Sequence, residues 1–158
     1  MSKLIPASVI AGALVLAPLN SHAAGASDNQ TKMAPLHYLL GTWHCHWQSG
    51  TQSEDEDQVF ESTFGGAWLA EKEIVDVDGQ SFVRSLHYTG YDPQLNVYVH
   101  VGPDANGNYE LAKSPDLVTW TSTDGDFIHH KVSDTERRMN ENDGGNHVSM
   151  KCLKSSSS

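Results

Sequence analysis

From Gly41 onward, turn-forming residues interrupt the chain about every 8 to 12 positions, and no uninterrupted stretch is long enough for a strand-helix-strand crossover. Ser49-Gly50, Gly65-Gly66, Asp78-Gly79, Asp92-Pro93 and the "GPDANGN" stretch at 102–108 are the clearest breaks. Between them lie runs rich in β-branched and aromatic residues, at 42–48, 58–64, 67–77, 81–91, 95–101, 109–114, 117–123, 127–133, 135–142 and 147–154. Short strands joined this closely pair antiparallel, which excludes a parallel α/β sheet. The run 95–101 alternates, with Leu95, Val97, Val99 and Val101 on one face and Asn96, Tyr98 and His100 on the other. Alternation alone leaves open which row lines the interior. The expected fold is all-β, an up-and-down antiparallel barrel of about 8–10 strands, because closure removes exposed sheet edges. The acidic "SEDED" at 53–57 is expected to be a solvated loop, without the ligand spacing of a calcium loop. One short helix is expected at 35–41, where Pro35 suits a first turn and Gly41 an end.

The segment before this region reads differently. Residues 1–23 carry Lys3, an apolar stretch broken by Pro6 and Pro18, and Ser21-His22-Ala23 as a small-x-small cleavage pattern. They are expected to be a signal peptide cleaved near Ala23, giving a periplasmic or secreted protein. Residues 24–34 are small and polar, and are expected to be a flexible leader. The domain then spans 35–154, with a serine tail at 155–158. No other stretch is apolar enough to span a bilayer as a helix. The ten Lys+Arg against twenty Asp+Glu exclude nucleic acid as a partner, since neutralising phosphates takes basic side chains. Cys45 and Cys152 are the two cysteines, and in an exported chain an even count suggests a disulfide. That bridge makes the first and last strands neighbours, as barrel closure also requires.

The sequence "GTW" at 41–43, opening the first strand after a short helical turn, resembles the start of lipocalins and other calycins. "GGAWL" (65–69), "YTGYDP" (88–93) and "VYVHVGPDANG" (97–107) are similar to bacterial lipocalin-like domains of the unknown-function 1579 type. The resemblance covers most of residues 36–154. It implies a lipocalin-like barrel with an internal cavity. It also implies structural roles for Gly41 and for Trp43, which would pack at the closed end beside an arginine from a late strand, Arg137 or Arg138. The Gly-x-Trp-x-Gly continuation of nitrobindin-type haem barrels is missing, and no cofactor is expected.

"HCH" at 44–46 brings metal-ligating residue types together, but strand alternation separates them. Trp43, Cys45 and Trp47 share one face, and His44 and His46 the other. The two histidines are therefore weak metal candidates, facing solvent if Trp43 faces the core. Arg84, His87, Tyr98, His100, His129, His130 and His147 are candidate interior polar residues, although adjacent His129 and His130 cannot both point inward.

The leading expectation is a barrel that binds a small, largely apolar molecule, with aromatic walls desolvating it and a few polar groups orienting it. Arg84, Tyr88, Tyr98, His100, Trp120, Phe127 and His129 are the expected ligand-binding residues. One alternative is an isomerase or lyase using cavity histidines as acid and base, marked by two or more of His87, His100, His129 and His147 converging in one pocket. Another is a non-catalytic accessory domain with a filled barrel. No catalytic residue is identified, and the oligomeric state is left open.

Overall fold

A computed structural model describes residues 23–122, 125–143 and 146–156. Ten strands form one closed antiparallel barrel, each paired with its neighbours in sequence. They are β1 (Gly41–Ser49), β2 (Gln52–Thr63), β3 (Trp68–Val77), β4 (Gln80–Asp92), β5 (Val97–Pro103), β6 (Tyr109–Ser114), β7 (Thr119–Ser122), β8 (Gly125–Lys131), β9 (Glu136–Asp143) and β10 (Asn146–Lys154). Each run read from the sequence corresponds to one strand. The β3–β4 hairpin turns on Asp78 and Gly79, both at positive φ (53° and 78°), as a two-residue connection matching strand twist requires. β1 pairs with β10 to close the barrel, and Cys45 sits directly opposite Cys152 with Cα atoms 4.0 Å apart, joined by a disulfide. The expected signal-peptide segment, 1–22, lies outside the described residues.

One end of the barrel is closed. An α-helix, α1 (Ala23–Met33), runs into a 3₁₀ turn at Ala34–Leu39. Met33, Leu36 and Leu39 are buried there with Trp43, Phe60, Leu69, Tyr91 and Met150. The leader expected to be flexible is therefore helical. Its sequence hides this because Met33 is its one large apolar anchor, so no amphipathic stripe is visible. The helix is held by docking rather than by its own periodicity. The Gln30 amide donates to the Gly65 carbonyl at 2.5 Å, the Tyr98 hydroxyl donates to the Lys32 carbonyl at 3.1 Å, and the Lys32 ammonium stands 4.9 Å from the Tyr91 ring centre.

The acidic run 53–57 is also corrected, since it forms the first half of β2 and pairs along β1. Its charges are divided between faces by the two-residue period. Asp55 and Asp57 point outward to His46 and His44, whereas Glu54 and Glu56 point inward to Arg84. Reading composition without period mistakes such a strand for a loop.

A register shift on β3–β4 has a functional result. Glu73 faces Ser85 and Ile74 faces Val83, so Arg84 is the extra residue of a β-bulge. The bulge turns Arg84 inward beside Ser85, a re-aiming that an unbroken ladder would forbid. On β5, Tyr98 and His100 occupy the interior row, and the valine row lies on the outer wall, half-buried. The apolar core is thus concentrated at the closed end and in a smaller cluster of Ala112, Trp120 and Phe127.

Candidate functional site: a polar cavity inside the barrel

Away from the helical cap, the barrel holds a cavity of about 860 Å³. It opens at the end where Ser49, Gln52, Asp104, Asn106 and Asn108 stand on or beside turns. Toward the cap it ends at Gln58, Arg137 and Met150. The wall between is dominated by carboxylates, imidazoles and one guanidinium.

The Arg84 guanidinium donates to Glu54 at 2.6 Å and to Glu56, and its Nε lies 3.5 Å from Glu73. Glu56 also accepts from the Gln58 amide at 2.6 Å, and Glu73 accepts from the Ser85 hydroxyl at 2.5 Å. Trp47 Nε1 donates to Glu54 at 2.9 Å. These bonds hold β2, β3 and β4 together from inside and fix one side of the cavity. Arg137, buried near its base, stacks over Trp43 (5.6 Å) and Phe60 (5.0 Å). The tryptophan–arginine pairing expected at the closed end is thus made by Arg137. Arg138 points outward and bonds Glu136.

Across the cavity, three histidines converge. His87 and His100 have ring centres 4.6 Å apart, and His129 packs with Trp120 and Phe127 at 6.1 and 5.3 Å. Thr89 Oγ1 lies 2.9 Å from His100 Nδ1, and His87 Nε2 lies 3.5 Å from Glu110. Burial drives His100 well below the ordinary imidazole range, with His87, His129 and Arg137 adding to the fall. Burial takes His129 down to about 3, helped by Arg137 and His130. His87 is lowered by burial, against the opposing pull of Glu73 and Asp104. Burial likewise pushes the Glu71 carboxyl up to about 8, with Arg137 opposing and Glu73 and Glu110 reinforcing. His100 and His129 are half-buried as whole residues.

The expected ligand-binding residues divide accordingly. Arg84, His100, Phe127 and His129 line the cavity. Tyr88 does not: His87 faces inward, so its neighbour stands on the outer wall opposite Ala70 and Val101. Tyr98 packs lower, against Tyr91 (5.2 Å) and α1, and Trp120 is buried behind Phe127. His147 and His130 are on exposed outer positions. His44 and His46 are also outside. Both His44 nitrogens are engaged, Nδ1 by Asp57 and Nε2 by Ser155 at 2.7 Å, and His46 Nδ1 meets Asp55 at 2.7 Å. That pairing gives both "HCH" histidines carboxylate partners on the outer wall.

Glu54, Glu56, Glu71, Glu73 and Glu110 were not expected at the site. A signal existed for two of them. In "WLAEKEIVDV" the row Leu69, Glu71, Glu73, Val75 alternates with Trp68, Ala70, Lys72 and Ile74, so glutamates share a face with leucine and valine.

No family model matches the chain, and no curated protein matches it. Among solved structures it is similar to a redesigned β-barrel, with a TM-score of 0.41 and 14% identity, covering 75% of this chain and 93% of that one. A likeness that loose carries no argument about ligand or activity.

Proposed function

We propose that the protein is an exported small-molecule-binding barrel of the calycin type, whose cavity takes a small polar solute bearing a cationic or hydrogen-bond-donating group. The observation that carries this is the cavity wall, where carboxylates outnumber the two guanidiniums, Arg84 and Arg137. Arg84 is already bonded to three glutamates. A largely apolar ligand fits this wall poorly, because it would strip water from charged groups without replacing their hydrogen bonds. A solute with ammonium or amide donors replaces them. Export is supported by the N-terminal cleavage pattern and by the Cys45–Cys152 bridge, which suits an oxidising compartment.

Titration calorimetry with putrescine and with a fatty acid tests the ligand class. The diamine is expected to bind and the fatty acid not, and Glu110→Gln with Glu141→Gln, at two carboxylates that line the cavity, should weaken the diamine at least about fivefold, as expected for lost charge pairing in a partly screened site. Binding of the fatty acid alone, or of neither probe, rejects this ligand class.

A second reading, acid–base catalysis, draws on the convergence of His87, His100 and His129. Burial lowers all three histidines, and His129, held near 3, is a weak base at neutral pH. Glu71, at about 8, is the better-matched proton donor.

A further inference from the structure

We propose that Glu71, His87 and His100 form a binding site for a zinc-class divalent cation on the inner wall of the barrel. This goes beyond the solute-binding reading and does not depend on it. The three residues stand on adjacent strands: Glu71 on β3 is the register partner of His87 on β4, and His100 on β5 is the partner of Thr89, two residues along. One ligand atom from each lies within 4.8 Å of the other two.

A tetrahedral site with bonds of about 2.0–2.1 Å spaces its ligands roughly 3.3 Å apart, so small side-chain rotations complete the geometry. Two nitrogens and one carboxylate oxygen suit zinc or cobalt(II), whereas calcium takes six or more oxygens. The supporting residues are also present. Thr89 Oγ1 lies 2.9 Å from His100 Nδ1, so Nε2 is the ring nitrogen left for a metal among the described residues. His87 Nδ1 is buried with no hydrogen-bond partner among the described residues, which a self-contained polar network would not leave. Gly102 lets β5 approach His87, since a Cβ there would stand 2.8 Å from the His87 Cα. Three protein ligands leave a fourth position open toward the cavity.

The test is calorimetric titration of the intact, disulfide-bonded chain with Zn²⁺, and optical titration with Co²⁺. One equivalent should bind, with the visible absorption of a four-coordinate nitrogen–oxygen cobalt site. His87→Gln and His100→Gln should each weaken binding more than about tenfold, and Thr89→Val by about 10–100-fold. The His44→Gln/His46→Gln double variant should leave it unchanged. Should the interior variants fail to fold, histidine NMR on the unsubstituted chain decides: one equivalent of Zn²⁺ should move the imidazole resonances of His87 and His100 and leave those of His44 and His46 in place. No stoichiometric binding, or binding that survives His87→Gln and vanishes in the His44→Gln/His46→Gln variant, overturns the proposal. So does a spectrum in which only His44 and His46 respond.

Discussion

Arg137 is 4% exposed, and its charge is felt by Glu71, His100 and His129 together. Burial lowers Arg137 itself, with Glu71, Tyr38 and Glu73 pulling the other way. The site therefore ties folding to pH through groups of opposite sign. His129 is depressed to about 3, so its contribution is fully present above the ordinary imidazole value of 6.5 and is lost as pH falls toward 3. Relative to His129→Gln, the parent should lose roughly 2 kcal/mol between pH 7 and pH 4 in urea unfolding, a figure reduced because the residue is half-buried. Glu71 is raised to about 8, so its contribution is present below 4.5 and lost as pH rises through 8. Glu71→Gln should accordingly gain on the parent by roughly 3 kcal/mol between pH 5 and pH 9. Equal pH slopes for parent and variants would show that neither shift survives in solution.

The close approach of β4 and β5 depends on a position without a side chain. A Cβ at Gly102 would lie 2.0 Å from the Leu86 carbonyl oxygen and 2.8 Å from the His87 Cα, both backbone atoms that cannot rotate away. Gly102→Ala should destabilise by about 2–3 kcal/mol in chemical unfolding, from overpacking alone. The strands themselves were legible because turn chemistry is local: Asp78-Gly79 specifies its hairpin wherever it occurs. What failed were elements whose state depends on distant partners. The 53–57 run is a strand because β1 and Arg84 receive its two faces, and α1 is ordered because Gly65 and Tyr98 hold it. The bulge at Arg84 has no sequence signature either, yet it decides which way that guanidinium points.

Over the whole molecule, stability and recognition occupy opposite ends of the barrel. The cap end is packed with Met33, Leu36, Trp43 and Phe60, while the mouth end is hollow and charged. Met33→Ala should therefore cost about 2–4 kcal/mol in thermal unfolding while leaving binding at the cavity unchanged, which calorimetry on the folded variant measures. This division also explains why the site was harder to read than the fold. Trp43 fixes the inward face of β1, but carrying that parity round nine more strands needs every register, and one bulge changes it. Nothing local in "LHYTGY" says whether His87 or Tyr88 faces inward, and a glutamate in an acidic chain reads as surface, so the inward row of Glu71 and His87 emerges only from the registers. The bond at the β1–β10 seam has a separate consequence. It turns residues 45–152 into a single covalent ring that passes through every strand. A protease cutting any one turn inside that ring nicks the backbone without releasing a fragment, so the clipped protein stays one molecule until a reductant opens the seam.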